Sequence, residues 1–244
     1  MNYKLTLQYD GSRFNGWQKQ GNTENTIQGR LEAVLSRFAG MAVEVHGAGR
    51  TDAGVHAEGQ IASVHLPMHV PAAEVMDYLN RYLPEDIAVI EAEEAPERFH
   101  ARLNATGKVY RYTLRAGNVP DVFRRKYVCR VETPLDLDAM RRAAELLTGT
   151  HDFRAFCSNK RYKKSTVRTL HSIQIERHGA DVTLTFRGSG FLYNMVRILT
   201  GTLLEVGQGE RSAEEMPEIH ASLDRARAGK TAPAQGLCLV KVEY

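Results

Sequence analysis

Asp52 is the residue best set to do carboxylate chemistry. It stands in GAGRTDAGVHA (residues 47–57), two positions after Arg50, among glycines at 47, 49 and 54. Glycines let the backbone take φ > 0 or approach another group closely. The spacing is not that of a dinucleotide-binding loop, because Asp52 occupies the place of the third glycine, and no Gly-Lys-Ser/Thr follows to make a P-loop. An aspartate in such a turn can simply cap backbone N–H groups. It can also be a carboxylate held ionised by a cation, since a nearby arginine lowers an aspartate pKa by about 1–3 units. An ionised carboxylate suits a nucleophile better than a general acid, which needs a raised pKa.

Glycoside hydrolysis usually wants two facing carboxylates, one of them protonated. No second acid stands in a comparable small-residue turn. A lone carboxylate attacking an anomeric carbon fits a leaving group that needs little protonation. Uracil departing through N1 is such a group, because its charge delocalises onto the carbonyl oxygens. Arg197 is a second candidate, on a helix where Asn194, Arg197 and Gly201 fall at i, i+3 and i+7, away from the apolar stripe. A glycine there costs about 1 kcal/mol relative to alanine, which points to a close approach by something else. The plain alternative is a solvated arginine. Tyr110 shares a strand face with Lys108, Tyr112 and Leu114; either tyrosine can be core or a ring that stacks on a base. The single tryptophan, Trp17, reads as a plug over a turn-rich loop. His65 and His69 are four apart, but Pro67 between them breaks the helix a metal pair would need. RGSGFLYN (187–194) resembles an RNA-binding strand motif but lacks its aromatics at two positions, so it reads as strand-to-helix punctuation.

The elements that must position these residues alternate. Strands are expected at 3–9, 43–47, 60–66, 87–92 and 108–115, a hairpin over 171–190 turning at Gly179, and a closing strand LCLVKVEY. Helices are expected at 26–38 (capped by Asn25 or Thr26), 72–83, 137–147, 191–206 and 212–228. This is an α+β chain in two halves, 1–105 with the aspartate and 106–244 with the tyrosine and arginine, carrying mainly antiparallel sheets. Its 244 residues are 43% hydrophobic and 25% charged, ordinary for a soluble protein. Cys129, Cys157 and Cys238 lie far apart, which argues against a disulfide framework or zinc ribbon. The N-terminus has no signal-peptide apolar region, so a cytoplasmic protein is expected. Residues 98–130 hold nine Lys/Arg against one acid, and 154–178 hold seven against one. Such segregation suggests a basic face for a polyanion, and Lys160, Arg161, Lys163, Lys164 and Arg168 are candidate RNA contacts from charge alone.

Five stretches together resemble the tRNA pseudouridine synthase A family: YDGSRFNGWQKQ, GAGRTDAGVHA, RFHARLNATGKVYRYTL, GFLYNMVRILTG and APAQGLCLVKVEY. They run from near residue 3 to residue 244, and Cys238 is the one departure from the expected pattern, at a packing position. The resemblance implies a pseudouridine synthase fold, two RRM-like α/β halves with a catalytic cleft between them. It implies Asp52 as nucleophile, Tyr110 as the active-site tyrosine and Arg197 as the partner of the aspartate. Arg50 is implied to enter the space left by the target base. The implied reaction converts uridine to pseudouridine in the anticodon stem-loop of tRNA, at positions 38, 39 or 40, with the base flipped out. A homodimer and no cofactor or metal are implied with it; no stretch approaches the roughly 18 apolar residues of a membrane span, so no membrane partner is expected. A non-catalytic RNA-binding module and a base-releasing nucleoside hydrolase are the alternatives. Whether Asp52 attacks C1′ directly or removes the 2′ proton to give a glycal stays open.

Overall fold

A computed structural model describes residues 1–21, 23–159 and 164–244. The chain divides into two units, Met1–Thr106 with Cys238–Tyr244, and Gly107–Leu237. The first holds β1 (Asn2–Tyr9), α1 (Ile27–Ala39), β2 (Val45–Gly47), β3 (His56–His65), α2 (Ala72–Tyr82) and β4 (Ile87–Ala95). The second holds β5 (Gly107–Ala116), β6 (Cys129–Val131), α3 (Leu137–Leu147), β7 (Gly149–Asp152), β8 (Val167–His178), β9 (Asp181–Gly188), α4 (Met195–Gly207) and α5 (Met216–Ser222). The closing strand, β10 (Leu237–Glu243), joins the first unit from Cys238 onward. The architecture is α+β with mainly antiparallel sheets.

In the first unit β1 lies between β4 and β3, antiparallel to both. Its alternation buries Tyr3, Leu5, Leu7 and Tyr9 on one face. The other edge of β3 is shared. Antiparallel β2 pairs at residues 62–64, and parallel β10 pairs at His56 and Ala57. Helix α1 starts at Thr26, whose hydroxyl accepts the Gly29 N–H at 3.1 Å, and ends at Gly40 in the left-handed conformation. Of the apolar positions that predict this helix, Ile27, Leu31, Val34 and Leu35 are buried and Phe38 is half-buried. Two polar residues are buried beside it and hold β2: Gln28 Nε2 donates to the Val45 carbonyl, and Glu32 Oε1 accepts the Val45 N–H.

In the second unit β9 lies between β5 and β8, and β7 completes the antiparallel order, with β6 parallel to β5. The β8–β9 hairpin turns at Gly179, with φ +62°, as the sequence suggests. Helix α3 packs against β8 and α4. Two helices differ from the sequence expectation. The helix expected over 191–206 begins only at Met195, because Asn194 is left-handed (φ +61°, ψ +6°) and cannot continue a right-handed turn. The helix expected over 212–228 is broken into α5 flanked by two short 3-10 turns, and Leu223 at φ +52° ends α5. Among the described residues no helix is long and apolar enough to cross a membrane.

Candidate active site

The aspartate turn belongs to the first unit. The Val55 N–H donates to the Asp52 carbonyl at 3.1 Å, and Gly54 sits at φ +80°, the conformation a tight turn asks of its third residue. Asp52 itself is half-buried. The turn is held from behind by residues that sequence reasoning missed. Tyr9 and Thr51 share a hydroxyl contact of 2.8 Å, and Gln60 Nε2 donates to the Gly49 carbonyl at 2.9 Å. Burial pushes the Tyr9 phenol far above its ordinary pKa, so it stays protonated. The Trp17 N–H donates to the Thr51 carbonyl at 2.9 Å. Trp17 is buried, as a plug, and its ring occupies the space over Gly47, where a Cβ would come within 2.4 Å of it. His56, also buried, brings Nδ1 within 3.1 Å of Gly11 N and 3.3 Å of Asp10 Oδ1, tying the end of β1 to this loop. The period-two signal of β1 locates Tyr9, but nothing in the sequence says that its hydroxyl meets Thr51.

Arg197 lies in the first turn of α4 in the second unit and is half-buried rather than solvated. Its Nε donates to the Ala232 carbonyl at 2.7 Å, and its Nη1 to Asn194 Oδ1 at 3.0 Å. The Ala232 N–H returns a bond to the Arg197 carbonyl at 3.0 Å. The close approach that Gly201 implies is made by this same segment. A Cβ on Gly201 would lie 1.7 Å from the Lys230 carbonyl oxygen. Arg197 and Gly201 are thus covered by the segment Lys230–Ala232.

Tyr110 and Tyr112 share the buried face of β5. Tyr112 is fully enclosed, and its hydroxyl donates to the Pro233 carbonyl at 2.7 Å. Burial drives its pKa far upward. Tyr110 meets Phe191 edge-on, with ring centroids 5.1 Å apart. Arg50 is exposed. Of the candidate RNA contacts, Lys164 is exposed and Arg168 is half-buried, with its Nη1 donating to the Ser165 and Val167 carbonyls. Lys160, Arg161 and Lys163 lie outside the described residues. Among the described residues no group of three His, Cys, Asp or Glu side chains is placed to hold a metal ion.

A family model described as tRNA pseudouridine synthase matches residues 6–104 and 143–244. The chain is 49% identical over 243 residues to tRNA pseudouridine synthase A of Bacillus sp. (strain KSM-64), covering 100% of this chain and 99% of that protein. It is 47% identical over 241 residues to the protein of that name in Brevibacillus brevis, covering 99% of this chain and 98% of that one. For the same-named protein of Halalkalibacterium halodurans the identity is 49% over 234 residues, covering 96% and 89%. The chain belongs to the tRNA pseudouridine synthase family, a family of isomerases.

Proposed function

We propose that this protein isomerises uridine to pseudouridine in the anticodon stem-loop of tRNA, at positions 38, 39 or 40, with Asp52 as the nucleophilic carboxylate. The observation that carries this reading is full-length similarity to proteins named for the reaction, with Asp52 fixed in a braced glycine-rich turn. The reaction breaks the N1–C1′ bond, turns the uracil and joins C5 to C1′. The C5 proton leaves and N1 gains one, so nothing is consumed. Asp52 begins it either by attack on C1′ or by taking the 2′ proton to give a glycal. Arg197 supplies the cation that keeps Asp52 ionised. Tyr110 stacks on the uracil, and Arg50 fills the space the base vacates. Extruding the base costs a few kcal/mol, which phosphate contacts from the basic segments offset, Lys164 and Arg168 among them, with Lys160, Arg161 and Lys163. The working form is a cytoplasmic homodimer.

The test is pseudouridine formation in a uridine-labelled tRNA transcript by the wild type and Asp52→Asn, without added cofactor. The wild type is expected to form pseudouridine. The variant is expected to bind tRNA yet lose about 10³-fold or more in rate, the scale of removing a nucleophile. Full activity in Asp52→Asn returns Asp52 to a turn cap. Binding by both proteins without product favours an RNA-binding module, and free uracil favours a hydrolase.

A further inference from the structure

We infer that Asn194 is a positioning residue, one that orients the Arg197 guanidinium for its work on Asp52; this rests on the role given to Arg197 above. Asn194 and Leu223 are the two non-glycine residues at positive φ among the described residues. The left-handed conformation costs an L-residue about 1–2 kcal/mol, and asparagine tolerates it better than most. An asparagine opening a helix ordinarily spends its side chain as an N-cap. Asn194 makes no side-chain cap bond. Its Oδ1 instead accepts from Arg197 Nη1 at 3.0 Å, and its Nδ2 donates to Ser158 Oγ at 3.0 Å. A flipped amide would turn its NH₂ toward the guanidinium donors, so the contact with Arg197 sets the amide's orientation. The main chain of Asn194 is fixed too, its carbonyl accepting the Ile198 N–H at 2.9 Å. On the other side the Ala232 carbonyl holds Arg197 Nε. Two of the three guanidinium nitrogens are therefore fixed from within the second unit, and the strained backbone at 194 is what brings the amide to one of them.

The test uses the full-length protein and the tRNA assay above, with Asn194→Gly, Ser158→Ala and the double variant beside Asp52→Asn. Glycine accepts φ +61° without strain, so Asn194→Gly keeps the helix start and its Tm stays within a few degrees. Its kcat is expected to fall about 10- to 100-fold, the cost of a misplaced catalytic group, with KM for tRNA within threefold. Ser158→Ala lowers kcat less, and adds nothing in the Asn194→Gly background because its partner there is gone. A kcat within twofold of wild type in Asn194→Gly, a loss confined to KM, or additive effects in the double variant each overturn the inference. A wild type that forms no pseudouridine overturns the functional reading itself, and is seen before any variant is compared.

Discussion

Tyr112 and Tyr110 are two residues apart on one strand face, and the chain around them separates their uses. Tyr112 gives its hydroxyl to Pro233 and is closed off, with Gly236 so near that a Cβ there would meet the ring at 2.6 Å. Tyr112→Phe is expected to cost about 1 kcal/mol in denaturant unfolding, the worth of one hydrogen bond, with the modification rate kept within twofold. Alternation along β5 places both rings inward and carries no information on where a hydroxyl ends. Asp52 and Arg197 stand out in the sequence by their glycine neighbours, whereas Tyr9, Thr51 and Gln60 act through contacts that no spacing rule encodes. His220 is a different residue-scale case. It is buried against Phe153 and Phe156 with His151 stacked on it at 4.5 Å, and among the described residues neither of its ring nitrogens has a partner in good hydrogen-bond geometry. Burial first, then the charge of His151, lowers its pKa from 6.5 to about 4, with Asp152 opposing. The unfolded chain therefore binds the proton more tightly. The stability involved is full above pH 6.5 and is lost as pH falls from there toward 4, by about 3 kcal/mol. His220→Leu is expected to flatten that part of the stability–pH curve measured by denaturant unfolding.

At the scale of elements, α4 depends on what lies against it. Gly201→Ala drives a methyl into the Lys230 carbonyl and pushes residues 229–232 off the helix, taking Ala232 from Arg197. A stability loss of about 2–3 kcal/mol is expected, of the size that overpacking produces, with a fall in kcat that Tyr112→Phe does not show. Unfolding midpoints and turnover measured together check both. That something crosses α4 at Gly201 is legible from a glycine in the same row as Arg197. That it is the chain's own segment is not, since 229–232 is distant in sequence and has no periodicity. The start of α4 is misread for a related reason. The apolar period runs through Leu192, but one left-handed residue outweighs it. In the stretch 212–228, Leu223 does the same.

For the whole molecule, charge segregation bears on binding. If the basic segments meet phosphates, tRNA affinity falls with salt along a linear log–log slope. Lys164→Ala with Arg168→Ala is expected to flatten that slope by about 1–2, whichever tRNA is used. A slope unchanged within error in a filter-binding titration removes those two residues from the interface. The α+β class and the antiparallel bias are legible because hairpins and alternating strands are local signals. The partner of the last strand is not, because the pattern of LCLVKVEY says only that it is a strand. The pairing of Cys238 with His56 and of Leu239 with Ala57 joins distant parts of the chain.

That pairing has a consequence for how the protein is made. At the end of β10 the Glu243 carbonyl accepts the Thr106 N–H at 2.8 Å, and the Tyr244 hydroxyl donates to the Ala101 carbonyl. The unit that carries the aspartate is therefore left with an open sheet edge while a ribosome is still translating the other unit. It can close only after residues 238–244 have emerged from the exit tunnel. The nascent chain presents the aspartate turn early and cannot finish the frame around it until the second unit has been translated.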